Sequence, residues 1–237
     1  MSYGVVSLLP VRNGAADLPF HFEAVAALVD EVVALDDGST DATRDVLREH
    51  PIVEILLAHP VRRSYVRWDD SLNRNELLAA AERLNPRWIV SLDADEVIDI
   101  EDAIALREFL LNEADPRCAY GFRMFRMIGG MNNYDKASLW VYRLFGFRKG
   151  QRFPNRKLHF EPIPTEIPRR RWLKTNVRIK HRASLDEGRR RARYQKYIEA
   201  DPFNRYQSDY SNLLDQPGTL REWAPRAAGS PILLRDG

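Results

Sequence analysis

One stretch of the sequence, residues 88–96, constrains the fold more than any other. It begins as an apolar, β-forming run and ends with Asp93 and Asp95, two positions apart. A run of this length between helical patterns predicts a buried strand. Residues i and i+2 of an extended chain project to the same side, so the two carboxylates should converge where the strand leaves the sheet. Open α/β sheets bind ligands at that edge, and paired carboxylates suit Mg²⁺ or Mn²⁺. An isolated Asp-x-Asp is also typical of a solvated loop.

Strands alternate with helices before this stretch. Apolar runs predict strands at 5–9, 31–35 and 52–57, and helix-spaced apolar residues predict helices at 18–29 and 71–84. Alternation of this kind implies right-handed β-α-β units. The fold class is therefore α/β, with a mostly parallel central sheet flanked by helices.

The second half of the sequence alternates less regularly. Prolines between residues 151 and 170 require loop or extended chain there. Ser184 is expected to cap a long arginine-rich helix, and residues 201–237 are expected to form a C-terminal helical extension. The other predicted elements are a helix at 100–111 and strands at 119–126, 139–147 and 175–181.

Composition narrows the class of protein. The 237 residues carry a formal net charge of +2, and 44% of them are hydrophobic, which is ordinary for a soluble globular protein. The single cysteine, Cys118, excludes an internal disulfide framework. No apolar run of about 18 residues predicts a transmembrane helix. We expect a cytoplasmic protein, peripheral at a membrane at most, and the sequence leaves its oligomeric state open.

A second acidic motif, Asp36-Asp37-Gly38-Ser39, follows the second predicted strand. It should therefore share the sheet edge with Asp93 and Asp95. Gly38 permits a tight turn and close approach to a ligand, and a carboxylate there can accept a hydrogen bond from a base or a ribose. Taken alone, the motif describes a β-turn with a helix cap equally well.

The order of these motifs resembles the family 2 glycosyltransferases, which have the GT-A fold. The resemblance covers residues 3–110 well and 150–200 loosely, with Val11 where an aromatic residue is frequent. It implies an inverting transferase that uses Mn²⁺ or Mg²⁺ and a nucleotide-diphosphate sugar, with UDP favoured. The matching segments are Pro10-Val11-Arg12-Asn13, Asp36-Asp37-Gly38-Ser39-Thr40-Asp41, Arg74-Asn75 and Asp93-Ala94-Asp95.

The resemblance also assigns roles. Residues 1–115 would bind the donor, 116–200 would bind the acceptor and carry catalysis, and 201–237 would be an extension. Asp95, Asp93 and His181 would hold the metal, although a structural histidine is equally expected at position 181. The donor-binding residues would be Pro10, Arg12, Asn13, Asp36, Asp37, Arg74, Asn75, Asp93 and Ala94.

Inversion by direct displacement needs a base that deprotonates the acceptor hydroxyl. Glu161, near the end of a short strand, is the first candidate; Glu166 is the second and Asp135 the third. The plain alternative makes Glu161 a surface partner of a nearby arginine. The acceptor itself stays open among a glycan, a lipid-linked glycan, a protein and modified DNA.

The histidines and arginines allow further readings. His159 is expected to contact donor or acceptor, whereas His21, His50 and His59 are expected at the surface. The arginine-rich helix from Arg189 to Arg193, with Tyr194 and Tyr197, could bind phosphate on a donor or an anionic acceptor, or form a solvated face. The two arginine triplets, at 169–171 and 189–191, could also indicate a non-catalytic nucleic-acid-binding module.

Asp93-Ala-Asp-Glu-Val97 also fits the Asp-x-Asp-x-Val pattern of haloacid dehalogenase-like phosphatases, whose first aspartate is a nucleophile. That motif normally follows the first strand, and here it follows the fourth. The order of strands therefore favours the glycosyltransferase over the phosphatase.

Overall fold

The computed structural model describes residues 4–234, apart from the side chains of residues 136–138. Strands and helices alternate as predicted through the first half of the chain. The strands are β1 (Val5–Val11), β2 (Glu31–Asp36), β3 (Val53–Ala58), β4 (Trp88–Val90), β5 (Glu96–Ile98), β6 (Ala119–Met127), β7 (Asn133–Gly146), β8 (Trp172–His181) and β9 (Arg221–Glu222). The α-helices are α1 (Leu18–Val25), α2 (Thr43–Glu49), α3 (Asp70–Ala81), α4 (Ile100–Asn112) and α5 (Glu187–Ala200).

These strands form one mixed sheet in the order β3-β2-β1-β4-β7-β6-β8-β5, with β9 paired to β7. The four strands at one side, β3, β2, β1 and β4, are mutually parallel. β7 then runs antiparallel to both β4 and β6. Parallel pairing brings the carboxyl ends of β1, β2 and β4 to one edge of the sheet.

Two apolar layers cover the sheet. Because successive strand residues face opposite sides, Leu9 packs in the layer that contains Phe22 of α1 and Phe109 of α4. Its neighbour Leu8 packs in the layer that contains Leu77 of α3. Full burial of such side chains stabilises the fold by about 1.5–3 kcal/mol each. Coverage of both faces explains why the parallel strands read as continuous apolar runs.

The helix starts differ from the predicted ones. Asp69 caps α3 by accepting a hydrogen bond from Leu72 N at 2.9 Å, whereas Ser71 donates to Pro154 O at 2.6 Å. Asp186 likewise caps α5, and Ser184 lies in the preceding 3₁₀ turn. Each cap thus belongs to an aspartate in extended backbone just ahead of the helix.

The short elements depend on distant partners. β5 pairs with β8, more than eighty positions away in the sequence, and was not predicted. In residues 201–234 the regular structure is a 3₁₀ turn at Ser211–Leu214 and strand β9. Among the described residues, every helix is too short or too polar to cross a bilayer.

Candidate active site

A cleft of about 1170 Å³ opens at the carboxyl edge of the parallel strands. Pro10 of β1, Asp37 after β2, and Asp93 and Asp95 after β4 line one side of it. Helix α5 and the proline-rich segment 151–170 line the other sides. The sheet edge that carries the two acidic motifs therefore borders a large cleft. Residues from both halves of the chain line this cleft.

Asp93 is held by two buried arginines. Arg74 of α3 donates to its carboxylate and also donates to Ser91 Oγ at 2.7 Å. Arg143 of β7 lies 3.8 Å from Asp93 Oδ2 and forms a two-point ion pair with Glu96. Burial opposes ionisation of Asp93, but the charges of Arg74 and Arg143 outweigh it and keep its pKa below the ordinary value. Asp93 is therefore a fixed, ionised carboxylate.

Asp95 has a different partner. Its Oδ2 lies 3.4 Å from His181 Nε2, at the end of β8, and its carbonyl accepts a hydrogen bond from Arg182 N at 2.8 Å. Burial opposes ionisation, but His181, and then Arg193 and Lys196 of α5, keep the pKa of Asp95 well below its usual range. The Asp95 side chain is 30% exposed, so an ionised carboxylate beside an imidazole faces the cleft.

The two aspartates of the second motif play different parts. Asp36 is fully buried, accepts from Ser39 N at 2.9 Å and Arg44 Nε at 2.6 Å, and does not line the cleft. Asp37 does line it; its Oδ1 is paired with His59 and Arg62, and its Oδ2 has no partner among the described residues. Asp36 therefore shapes the turn, and Asp37 Oδ2 is the oxygen left for a ligand.

Three further predicted donor residues show the same division. Arg74 lines the cleft, whereas Asn75 binds Ser71 O and Phe153 N, at 2.8 and 2.9 Å, and lies outside it. Asn13 lines the cleft, but its Oδ1 accepts from Thr40 N at 2.8 Å. The side chains of Asn75 and Asn13 thus join segments of the protein, which is a structural role.

Residues 59–69 cover the Asp37 side of the cleft. Arg12 stacks on Tyr65, with 4.0 Å between the guanidinium carbon and the ring centre, and donates to Ser64 O at 2.8 Å and to Arg62 O. Tyr65 N in turn donates to Glu199 of α5 at 3.0 Å. The arginine of the first motif therefore anchors a segment that bridges β1 and α5.

The prediction that His21, His50 and His59 are surface residues is wrong for His21, whereas His50 and His59 are partly exposed and have unpredicted partners. His59 is held between Asp37, at 2.8 Å, and Glu76, at 2.9 Å. His50 stacks on Phe22, with 3.7 Å between ring centres. His21 is fully buried, and burial lowers its pKa to about 4. Their partners lie on other elements, so no local pattern could reveal them.

The three candidate bases are separated by the fold. Glu161 lines the cleft and accepts a hydrogen bond from Tyr142 N at 3.0 Å. Glu166 lines a separate hollow beside Arg170, and Asp135 is ion-paired with Arg126 away from the cleft lining. Glu161 is thus the candidate that shares a space with Asp95.

Two of the three arginines of the second triplet are engaged inside the protein, and the exposed third is paired with a neighbouring glutamate. Arg189 binds both carboxylate oxygens of Asp17 at 2.9 Å, Arg190 is buried, and Arg191 pairs with Glu187. A nucleic-acid-binding surface would need these charges in solvent. The second triplet therefore gives no support to the nucleic-acid-binding module.

Comparison with known proteins identifies the family. The sequence model described as glycosyl transferase family 2 matches residues 8–178, well over half of the chain. The chain belongs to glycosyl transferase family 2. The uncharacterized proteins Rv3786c of Mycobacterium tuberculosis and Mb3815c of Mycobacterium bovis are each 25% identical to it over 113 residues. The match covers 47% of this chain and 27% of each relative, so the chain spans about a quarter of their length.

A solved structure confirms the fold of this family 2 chain. The mannosyltransferase PcManGT from Pyrobaculum calidifontis, in complex with GDP-Man and Mn²⁺, is 17% identical, with a TM-score of 0.54. The similarity covers 84% of this chain and 62% of that one, and it confirms the predicted GT-A fold. TarS 1–349 of S. aureus is 14% identical over 89% of this chain and 69% of its own, with a TM-score of 0.46.

Several cleft residues of this family 2 protein were not predicted. Arg143 lines the cleft and belongs to no motif, and its partner Glu96 is distant in sequence. Within residues 151–200, four cations line the cleft without an ion pair to any described residue; they are Arg156, Arg169, Lys196 and Arg193, the last of which lies in the helix expected to bind phosphate. The arginine-rich composition of residues 151–200 was the one available signal for the cations.

The buried Arg143–Glu96 pair should contribute strongly to stability. We expect Arg143→Met to lower the free energy of unfolding by about 3–5 kcal/mol, because Glu96 would remain buried without its partner. Chemical denaturation measures this difference. Arg123→Met is the matched control, since Arg123 is exposed on the neighbouring strand and its loss should cost no more than about 0.5 kcal/mol. Equal losses in both variants would contradict the role of the pair.

His59 should make stability depend on pH. Burial lowers its pKa, but hydrogen bonds to Asp37 and Glu76 outweigh burial and raise it above 6.5. The charged ring should contribute about 1 kcal/mol, fully present below pH 6.5 and lost as the pH rises through the raised pKa. Unfolding of wild type and His59→Gln across this pH range tests the sign. A difference that grows with pH would show that the ring is not held as a cation.

Proposed function

We propose that this protein transfers a sugar from a nucleotide-diphosphate sugar to an acceptor hydroxyl, with inversion and with the help of a divalent metal. The observation that carries the proposal is an ionised Asp95 beside His181, in the same cleft as Asp37 and Asp93. Membership of glycosyl transferase family 2 and similarity to a mannosyltransferase crystallised with GDP-Man and Mn²⁺ support it. UDP is the donor nucleotide we favour.

The donor would lie along the carboxyl edge of β1, β2 and β4. The unpartnered Oδ2 of Asp37 can accept a hydrogen bond from the base or the ribose. At the other end, Arg193 and Lys196 are close enough to Asp95 to lower its pKa, and neither has an ion pair with a described residue. Their positive charges would offset the negative charge of the diphosphate.

The residues present fit a divalent cation. A carboxylate and an imidazole nitrogen 3.4 Å apart, Asp95 Oδ2 and His181 Nε2, are a suitable donor pair for Mn²⁺. The described residues contain no cluster of three protein ligands, so diphosphate oxygens and water would complete the coordination. When bound, the metal supplies Lewis-acid stabilisation of the leaving diphosphate. Asp93 is tied to Arg74 and Arg143, which suits it to orienting the Asp-x-Asp turn and meeting the ribose.

Glu161 would act as the base. Its carboxylate lines the same cleft as the Asp-x-Asp turn, and Tyr142 N donates a hydrogen bond to one of its oxygens. The other oxygen could take the proton of the acceptor hydroxyl as the new glycosidic bond forms and the bond to the diphosphate breaks. Attack from the face opposite the leaving group inverts the anomeric carbon.

A phosphatase of the haloacid dehalogenase type is disfavoured by the same geometry. Its first aspartate would have to attack phosphorus as a free nucleophile. Asp93 is engaged by Arg74 and approached by Arg143, and this lowers its nucleophilicity.

Donor binding tests the proposal directly. We expect one class of UDP-, GDP-, dTDP- or CDP-sugar to raise the melting temperature and to be hydrolysed slowly, both in a Mn²⁺-dependent manner. Asp95→Ala should weaken this binding at least about tenfold, since it removes a metal ligand. Asp45→Ala, which removes an exposed carboxylate of α2, is the control and should bind like wild type. If no nucleotide stabilises the protein with or without Mn²⁺, the proposal is wrong.

The base is tested by comparing two glutamates. Glu161→Gln should lower turnover by about 10²–10⁴-fold while donor affinity is retained, because only proton transfer is lost. Glu166→Gln changes the same chemical group in the separate hollow and should leave turnover unchanged. Donor hydrolysis and donor titration measure the two quantities. A fall in donor affinity without a fall in turnover would remove Glu161 from the role of base.

A further inference from the structure

Residues 201–210, after α5, form a compact loop around one buried carboxylate. Asp201 is 2% exposed and accepts hydrogen bonds from Arg205 N at 2.7 Å, Tyr206 N at 3.0 Å and Gln207 N at 3.3 Å. Tyr210 OH completes the set at 2.9 Å. An ionised carboxylate can only accept hydrogen bonds, so the Tyr210 hydroxyl must donate its proton to Asp201.

This loop determines which ring nitrogen of His159 carries the proton. His159 lines the cleft. His159 Nε2 lies 2.9 Å from Tyr210 Oη. Because the hydroxyl proton is already donated, Tyr210 Oη accepts from His159 Nε2–H. Burial and then the charge of Arg156 lower the pKa of His159, so the ring is neutral at neutral pH. Its Nδ1 is left as a hydrogen-bond acceptor without a partner among the described residues.

The geometry of His159 is both constrained and unusual. Its backbone has φ of 56°, in the left-handed region that favours glycine. The ring stacks on Tyr197 of α5, with 5.1 Å between ring centres and 23° between planes. Residues held in such backbone conformations concentrate at functional sites. Strain, stacking and a fixed tautomer together indicate a ring that is positioned for a ligand.

Two arginines that line the same cleft as His159 are left without acidic partners among the described residues. Arg156 donates to Tyr206 O of the same loop at 3.3 Å, and Arg169 stacks on Trp172 at 3.8 Å. Both line the cleft from the 151–170 segment, and neither has an ion pair with a described residue. Arg193 and Lys196 would neutralise the donor diphosphate. The positive charges of Arg156 and Arg169 would therefore remain available to another ligand.

We infer that His159, Arg156 and Arg169 form the acceptor subsite, and that the acceptor carries a phosphate or carboxylate near the hydroxyl that is glycosylated. His159 Nδ1 accepts a hydrogen bond from a hydroxyl of the acceptor, and the arginines bind its anionic group. The inference rests on the proposed function and adds the chemical class of the acceptor. Tyr210 is a positioning residue that acts through His159.

Binding of a small hydroxylated anion tests the subsite. With UDP and Mn²⁺ present, we expect sn-glycerol 3-phosphate, and not glycerol, to bind in isothermal titration calorimetry. Arg156→Gln should weaken binding about tenfold or more, the usual effect of losing a charged hydrogen bond. Arg170→Gln is the matched control, because Arg170 is exposed on the same segment and lines the separate hollow. It should bind like wild type.

Sedimentation with phosphatidylglycerol vesicles, against phosphatidylcholine vesicles, separates a lipid-borne source from a soluble one. Binding to phosphatidylglycerol vesicles alone, lost in Arg156→Gln and kept in Arg170→Gln, would support the subsite and assign the acceptor to a membrane. Equal binding by the two variants, or no binding to either probe while UDP still binds, would overturn the inference. Failure of UDP itself to bind would instead contradict the proposed function.

Tyr210→Phe tests the positioning role. ¹⁵N chemical shifts of the His159 ring should report a proton on Nε2 in wild type and a mixture of tautomers in the variant. Glycerol 3-phosphate affinity should fall while UDP affinity is unchanged, since Arg156 and the donor residues are untouched. A ring that keeps its Nε2 proton in the variant would show that Tyr210 does not position it.

Discussion

The cleft depends on a series of ion pairs that runs from Asp70 through Arg74, Asp93 and Arg143 to Glu96, with both arginines and the glutamate buried. It joins α3, the Asp-x-Asp turn, β7 and β5. Each charge would be costly to bury alone, and only the mutual pairing offsets the loss of water. These ion pairs therefore permit few alternative arrangements of the residues that form them, and they hold the turn that carries Asp95 at the edge of the sheet.

This pairing divides work between the two aspartates of the turn. Asp93 is paired with arginines, which hold its carboxylate in place and lower its reactivity. Asp95 has the weaker contact with His181 and faces the cleft. The same division occurs after β2. There Asp36 accepts hydrogen bonds from Ser39 N and Arg44, whereas Asp37 keeps one oxygen without a partner among the described residues. In each pair, one carboxylate builds the loop and the other is available to a ligand.

The cationic side of the cleft is assembled from the second half of the chain. Helix α5 presents Arg193 and Lys196, and the proline-rich segment presents Arg156 and Arg169. Acidic residues on the sheet edge and basic residues on the opposite walls suit a ligand that brings both a metal and phosphate. The loop around Asp201 extends this wall, because its contacts with His159 and Arg156 give residues after α5 a part in shaping the cleft.

The sequence by itself determined the parallel sheet, the position of its carboxyl edge and the two acidic motifs there, because strand periodicity and turn residues are local properties. Only the tertiary structure decided which oxygens of these carboxylates are left for a ligand, since the arginines and histidines that pair with them lie on other elements. It also separated Glu161 from Glu166 and Asp135, which look alike as isolated acidic residues. The surroundings of His59 and His159 were unpredictable for the same reason: hydrogen-bond partners distant in the chain leave no periodic signal, and folding alone brings them together.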